Sequence, residues 1–295
     1  MVREDAFVGA LMGFALGDAF GAPFEGFSRE EVERRLKHFE SKGKMSSEFT
    51  DDTLQMLILA ESLANTIYFN PSDFAERLRM YYETGKLKKT GPTSSQALER
   101  LKLGYSWKES GIDSGTCGSA MRVAPVGLLY SFDLNLVEEY SALQSIVTHT
   151  GKEAIAGCVA VALTYALILK GLGISEIRKE LVRRLKAFDA YTTLLVDRAF
   201  LGEFEYRGTI LASDVVPAAI QCFVYSESFE DCLRKSVSLG GDTDSIAAIA
   251  GGMKSLQSCI SEECDLKISL KIDVDCLDRV KEVAKKLWKV YEFIS

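Results

Sequence analysis

Two stretches of this chain place carboxylates where an apolar helix begins. In EFTDDTLQML, residues 48 to 57, Asp51 and Asp52 stand between two threonines and lead into an unbroken apolar run. In LGGDTDSIAAIAGG, residues 239 to 252, Asp242 and Asp244 alternate with Thr243 and Ser245 after two glycines. Each cluster has a plain structural reading, with Thr50 as a helix cap and acids in the first turn meeting the positive end of the helix dipole. That reading accounts for one acid more readily than for two. Adjacent helical residues point about 100° apart, so two neighbouring acids do not both face water when the residues after them are buried nearly all round. If the two helix starts converge, four carboxylates share one volume, where repulsion and desolvation force protonation unless cations neutralise them. Hard oxygen ligands completed by Thr or Ser hydroxyls select magnesium, manganese or calcium rather than zinc. The pairing suits two ions held side by side.

The elements that must position these acids read as helices. DDTLQMLILAESLANTIYF, PSDFAERLRMYYETG, TSSQALERLKLG and the final DCLDRVKEVAKKLWKVYEFI repeat apolar residues at three-and-four spacing, with charges on the other face. Alternating strand patterns are nearly absent, DLKISLKIDV near residue 270 being the one short candidate. No Pro-, Gly- or Ser-rich linker and no fixed repeat divides the chain, which predicts one all-α, compact, multi-helix domain over residues 1–295, with about a dozen helices. Gly9, Gly13, Gly17 and Gly21 recur every four residues and draw a stripe along which a second helix can approach closely. The small residues of AAIAGG, 247 to 252, suit the same crowded centre.

Composition bounds the function classes. With 47% hydrophobic and 26% charged residues and five prolines, the chain is globular and helix-prone. Its net charge of -7 shows no basic stripe for nucleic acid, which is not expected as a main partner. Seven cysteines without a CxxC pair fit neither a disulfide framework nor a thiolate zinc site, and point to a reducing cytoplasm. The N-terminus lacks the order of a secretory signal. AIAGCVAVALTYALIL, residues 154 to 169, falls short of a bilayer span and reads as a buried core helix, so no membrane partner is expected.

The segments GALMGFALGDAFGAPFEGF, FTDDTLQ, GTCGSAMRVAPVGLLY, VTHTGKEAIAG and SLGGDTDSIAAIAGG, in this order from about residue 5 to 255, resemble the successive signatures of the ADP-ribosylglycohydrolase family. The resemblance implies metal-dependent hydrolysis of the N- or O-glycosidic bond linking ADP-ribose to a protein side chain or small acceptor. It implies two divalent cations, Mg2+ or Mn2+, held by Thr50, Asp51 and Asp52 and by Asp242, Asp244 and Ser245, where Ser245 departs from a more usual Thr. Glu25 matches a glutamate on a mobile flap and is the first candidate for proton transfer, with Asp52 and Asp244 next. Gly115, Cys117, Gly118, Ser119 and Met121 match a glycine-rich loop lying against ADP-ribose, with Cys117 in place of Asn, and His149 matches a histidine near the ligand. The expected partner is an ADP-ribosylated protein or a small ADP-ribose conjugate, met by a monomer. Residue by residue, plainer roles remain open: Glu25 as a surface acid, the loop as a helix start, His149 as a cap. Two other functions share the acid pattern, namely a binuclear-metal phosphoesterase and a non-catalytic ADP-ribose-binding or structural homologue.

Overall fold

A computed structural model describes residues 2–42, 44–46, 48–87, 89–261, 264, 266, 271–273 and 277–295, with 44–46 and 271–273 described by backbone alone. The helix α1, Glu4–Gly21, is followed by a 3-10 turn at Ala22–Phe24 and by α2, Arg29–Lys42. Then come α3 (Asp51–Thr66), α4 (Pro71–Glu83) and α5 (Pro92–Lys102), and a 3-10 segment at Cys117–Arg122 that opens into α6 (Ala124–Leu129). The middle of the chain forms α7 (Leu134–Ile146), α8 (Lys152–Leu169), α9 (Ile174–Leu185) and α10 (Ala190–Leu201). The last third forms α11 (Ala212–Val224), α12 (Phe229–Val237), α13 (Thr243–Ser261) and α14 (Leu277–Ile294).

The fold is helical, as the periodicity predicts, and each patterned stretch holds a helix: α3, α4, α5 and α14. Thr50 stops α3 at its N-terminus, with Oγ1 accepting from the Asp52 amide at 3.2 Å, and Asn70 does the same for α4. The strand candidate near residue 270 is a three-residue strand, Lys271–Asp273, paired in parallel with Lys44–Ser46. The rest of that stretch falls almost entirely outside the described residues.

The hydrophobic core runs continuously from Ala6 in α1 to Leu287 in α14. Its axis is the pair α1 and α13, and the glycine stripe explains how close they come. A Cβ at Gly9 would meet Cys259 Sγ at 2.2 Å, at Gly13 Ser255 Cβ at 2.4 Å, at Gly17 the Ala247 carbonyl at 2.1 Å, and at Gly21 the Thr243 carbonyl at 2.4 Å. Rising numbers on one helix meet falling numbers on the other, so the two run antiparallel. The end of α1 therefore lies beside the start of α13. Ser255 Oγ donates to the Gly9 carbonyl at 2.7 Å and Thr243 Oγ1 to the Gly21 carbonyl at 2.9 Å, satisfying hydroxyls that the tight seam buries.

Two expectations need adjustment. Cys259 and Cys264 form a disulfide, so the cysteines are not all free, although a single bridge five residues apart is no framework. Cys117, Cys158, Cys222 and Cys232 are free and buried, and Cys276 lies outside the described residues. Among the described residues, Glu4–Phe24 and Lys152–Leu169 are both long and apolar enough to cross a membrane, which corrects the reading of the second as too short. Of their apolar windows, 78% and 83% are buried inside the fold.

Candidate active site

The two acidic helix starts meet. Ser245 Oγ at the start of α13 donates to Asp52 Oδ2 at the start of α3 at 2.7 Å. Both open on one cleft of about 990 Å³, lined by Glu25, Thr50, Asp51, Asp52, Asp242, Asp244 and Ser245, and by Cys117, Gly118, Met121 and His149. Asp52, Asp242, Asp244 and Ser245 are buried, as the inward-pointing acid of each cluster requires.

Three local devices bring them there. The first is α1: near its end the fully buried Asp18 accepts from the Thr50 amide at 2.9 Å, the Thr53 amide at 3.0 Å and Thr53 Oγ1 at 2.6 Å, so a carboxylate grips the N-terminus of α3. Gly21, a turn further on, admits the start of α13. The second is the pair Gly240 and Gly241, both at φ 70°, a left-handed conformation glycine adopts without a Cβ clash, which turns the chain into α13. The third is a pair of backbone hydrogen bonds, from Gly26 N to the Gly241 carbonyl at 2.8 Å and from Gly241 N to the Phe27 carbonyl at 3.0 Å. They tie the segment bearing Glu25 to the second acidic turn, where the resemblance implied a mobile flap.

The electrostatics follow from crowding. Burial, and then the charges of Asp244, Asp18, Asp51 and Asp242, push the Asp52 carboxyl well above the usual carboxylate range. Asp244 is raised by burial, then by Asp242 and Glu25. Asp51 is pushed up to about 7, burial first, with its hydrogen bond from Gln55 Nε2 at 2.7 Å opposing. Asp18 rises to about 6 through burial, held down by its Thr53 and Thr50 donors. At the mouth, desolvation and then Asp242 raise Glu25, while Lys89 lowers it.

This donor set is what a hard divalent cation takes: carboxylate and hydroxyl oxygens whose mutual repulsion a positive charge would relieve. Among the described residues, no three His, Cys, Asp or Glu side chains already stand grouped as a metal shell. Their lone pairs face neighbouring donors instead, Asp51 toward Gln55, Asp52 toward Ser245, and Asp242 toward Cys117 Sγ at 3.1 Å.

The glycine-rich loop is corrected in part. Gly118, Cys117 and Met121 line the cleft, but Gly115 and Ser119 do not. The Gly115 carbonyl is spent on the Ala212 amide at 2.8 Å, and the Ser119 hydroxyl is buried against Ser145 Oγ at 2.8 Å. Gly115 precedes the 3-10 segment Cys117–Arg122, and within that segment successive residues turn away from one another, so a loop motif overstates how many of them face one side. The Cys117 amide is already given to the Ile210 carbonyl at 2.9 Å. Burial, with Asp242 and Asp52, drives the Cys117 thiol well above its usual range, so it is not a thiolate nucleophile. His149 is buried, and burial with the Arg122 charge lowers it to about 3, leaving a neutral ring between Thr148 Oγ1 at 2.8 Å and Thr116 Oγ1 at 3.0 Å.

Asp18, Gln55 and Arg122 support the site from behind; all three lie within the signature segments, but the sequence reading gave none of them a role. For Asp18 the physical signal was its isolation: it is the only charged residue between Ala6 and Phe24. An acid in an otherwise apolar, glycine-striped helix has to be partnered inside.

Comparison with known proteins agrees with this geometry. The ADP-ribosylglycohydrolase family profile matches residues 1–256. An uncharacterised protein of Archaeoglobus fulgidus is 41% identical, covering 85% of this chain and 87% of its own length. The zebrafish (Danio rerio) ADP-ribosylhydrolase ARH3 is 25% identical, covering 97% and 90%, and the ADP-ribosylarginine hydrolase Tri1 of Serratia proteamaculans is 29% identical, covering 82% and 69%. A solved structure described as an "ADP-ribosylglycohydrolase-related protein complex" superposes with a TM-score of 0.75 at 25% identity, covering 98% of this chain and 99% of its own. A matching family profile over most of the chain, on a helical fold that gathers the acids in one cleft, places this protein in the ADP-ribosylglycohydrolase family, as a glycosidic hydrolase.

Proposed function

We propose that the cleft hydrolyses the bond between the terminal ribose of ADP-ribose and a protein side chain or small acceptor, using two divalent cations, Mg2+ or Mn2+. Members of the family use divalent ions and act on ADP-ribosyl groups in general. The observation that carries the reading is the contact from Ser245 Oγ to Asp52 Oδ2 at 2.7 Å, which joins acids from opposite ends of the chain in one cleft. Thr50, Asp51 and Asp52 would hold one ion, and Asp242, Asp244 and Ser245 the other. Bound there, the ions would orient ribose hydroxyls and acidify water.

Glu25 at the mouth takes the proton-transfer role: it is exposed enough to meet substrate, and desolvation with the Asp242 charge raises its carboxyl, which eases its holding a proton. Asp52 and Asp244 stand behind it as the other candidates. Gly118, Cys117, Met121 and His149 form the wall for ADP-ribose. Tyr81, with Lys86 Nζ and Arg279 Cζ each 5.7 Å from its ring centroid, offers an aromatic face beside positive charge for adenine and diphosphate. All of these come from one chain, which supports a monomer.

The test offers arginine- and serine-linked ADP-ribosyl peptides to the purified protein in chelator, Mg2+ or Mn2+. Metal-dependent release of free ADP-ribose is expected. Phosphate release from nucleotide phosphoesters without free ADP-ribose would assign a phosphoesterase instead.

A further inference from the structure

Behind the cleft lies a buried cation whose described hydrogen-bond partners are all neutral. Arg122 donates from Nη1 to Gln55 Oε1 at 2.7 Å, from Nε to Gln144 Oε1 at 2.8 Å, and from Nη2 to the Gln144 carbonyl at 3.0 Å and Thr148 Oγ1 at 2.8 Å. Its guanidinium lies 5.1 Å from the centroid of the Phe74 ring. Arg122, Gln55, Gln144, Thr148 and His149 are all buried. A guanidinium has only donors, so it dictates the polarity of every group it touches.

That polarity propagates in two directions. Gln55 must present its oxygen to Arg122, which leaves its amide nitrogen for Asp51 Oδ2 at 2.7 Å. Thr148 receives an N–H from Arg122, and among the described hydrogen bonds the acceptor left for its own proton is His149 Nδ1 at 2.8 Å. The ring proton then sits on Nε2, facing Thr116 Oγ1 at 3.0 Å, and the Thr116 hydroxyl passes on to Thr93 Oγ1 at 3.1 Å. The opposite tautomer would strand the Thr148 proton in the interior, at about 1–3 kcal/mol.

We propose that Arg122 is the positioning residue of this site: through Gln55 it aims Asp51 into the cleft, and through Thr148 it fixes His149 as the Nε2-protonated tautomer. One buried charge thus sets two walls of the cleft at once. The Asp51 arm rests on the metal reading above, whereas the His149 arm does not.

The full-length chain labelled with 15N-histidine reads the second arm by NMR, because only His38 and His149 contribute ring signals and the His38→Gln variant isolates His149. Mn2+ titration by calorimetry reads the first. The wild type is expected to carry its His149 proton on Nε2. Thr148→Val should convert that ring to a mixture of tautomers, Gln55→Met should weaken Mn2+ binding about 10- to 100-fold, and Arg122→Met should do both. A proton on Nδ1 in the wild type overturns the proposal, as does an Arg122→Met protein that folds and moves neither readout. If Arg122→Met does not fold, unchanged tautomer in Thr148→Val together with unchanged affinity in Gln55→Met overturns it as well. A wild type that binds no Mn2+ refutes the metal reading and the Asp51 arm, and leaves the tautomer to decide the other.

Discussion

Replacing Asp51 by asparagine tests whether crowded carboxylates, and not merely helix caps, define this site. The Asp51 carboxyl is pushed from 3.8 up to about 7, chiefly by burial. Its sign is that of a group raised on folding: below pH 3.8 both states hold the proton and no penalty exists, and between pH 3.8 and 7 the unfolded chain ionises while the folded one does not. The stability contribution is therefore lost as pH rises through about 7. At about 1.4 kcal/mol for each pH decade, the full penalty above pH 7 is about 4 kcal/mol. Asp51 is only partly buried, and solvent screening cuts that to about 2 kcal/mol. The amide introduced by Asp51→Asn would keep an oxygen for Gln55 Nε2, so the substitution removes charge with little else. Urea denaturation in chelator should show wild type and Asp51→Asn nearly equal at pH 4, and the variant more stable by about 2 kcal/mol at pH 8. Saturating Mg2+ or Mn2+ should reverse the order at pH 8, because the ion needs the charge the variant lacks. A difference between the two proteins that does not change with pH in chelator would refute the reasoning, and so would a wild type that is the more stable at pH 8 without metal.

Two further outcomes are expected. Asp242→Asn should sharply reduce divalent affinity, measured by calorimetry, while the helical circular dichroism of the metal-free protein is unchanged. Gly17→Ala should destabilise the protein by about 1–3 kcal/mol in urea, because its Cβ would fall 2.1 Å from the Ala247 carbonyl, a backbone atom that cannot turn aside.

The acids themselves were legible as chemistry because their pattern is local: hydroxyl, carboxylate and apolar helix follow one another within a few residues at 50–53 and again at 242–246. Thr50 and its cap were legible for the same reason. The loop at 115–121 was legible only as a motif, since which side chains face the cleft depends on the turn of a 3-10 segment and on α7 and α11 packed behind it. The disulfide between Cys259 and Cys264 was not legible at all, because spacing alone does not say whether two thiols come within bonding distance.

By itself the sequence determined the helices, the glycine stripe and the two acidic helix starts, because hydrophobic period, capping chemistry and the missing Cβ all act between near neighbours. Only the tertiary structure decided that the end of α1 lies beside the start of α13, that Asp18 holds α3 there, and that Arg122 grips Gln55 beneath Asp51. Those relations join residues 222, 35 and 67 positions apart. Over such separations, the direction in which two helices pack and the partner that a buried charge finds are settled by the whole core at once.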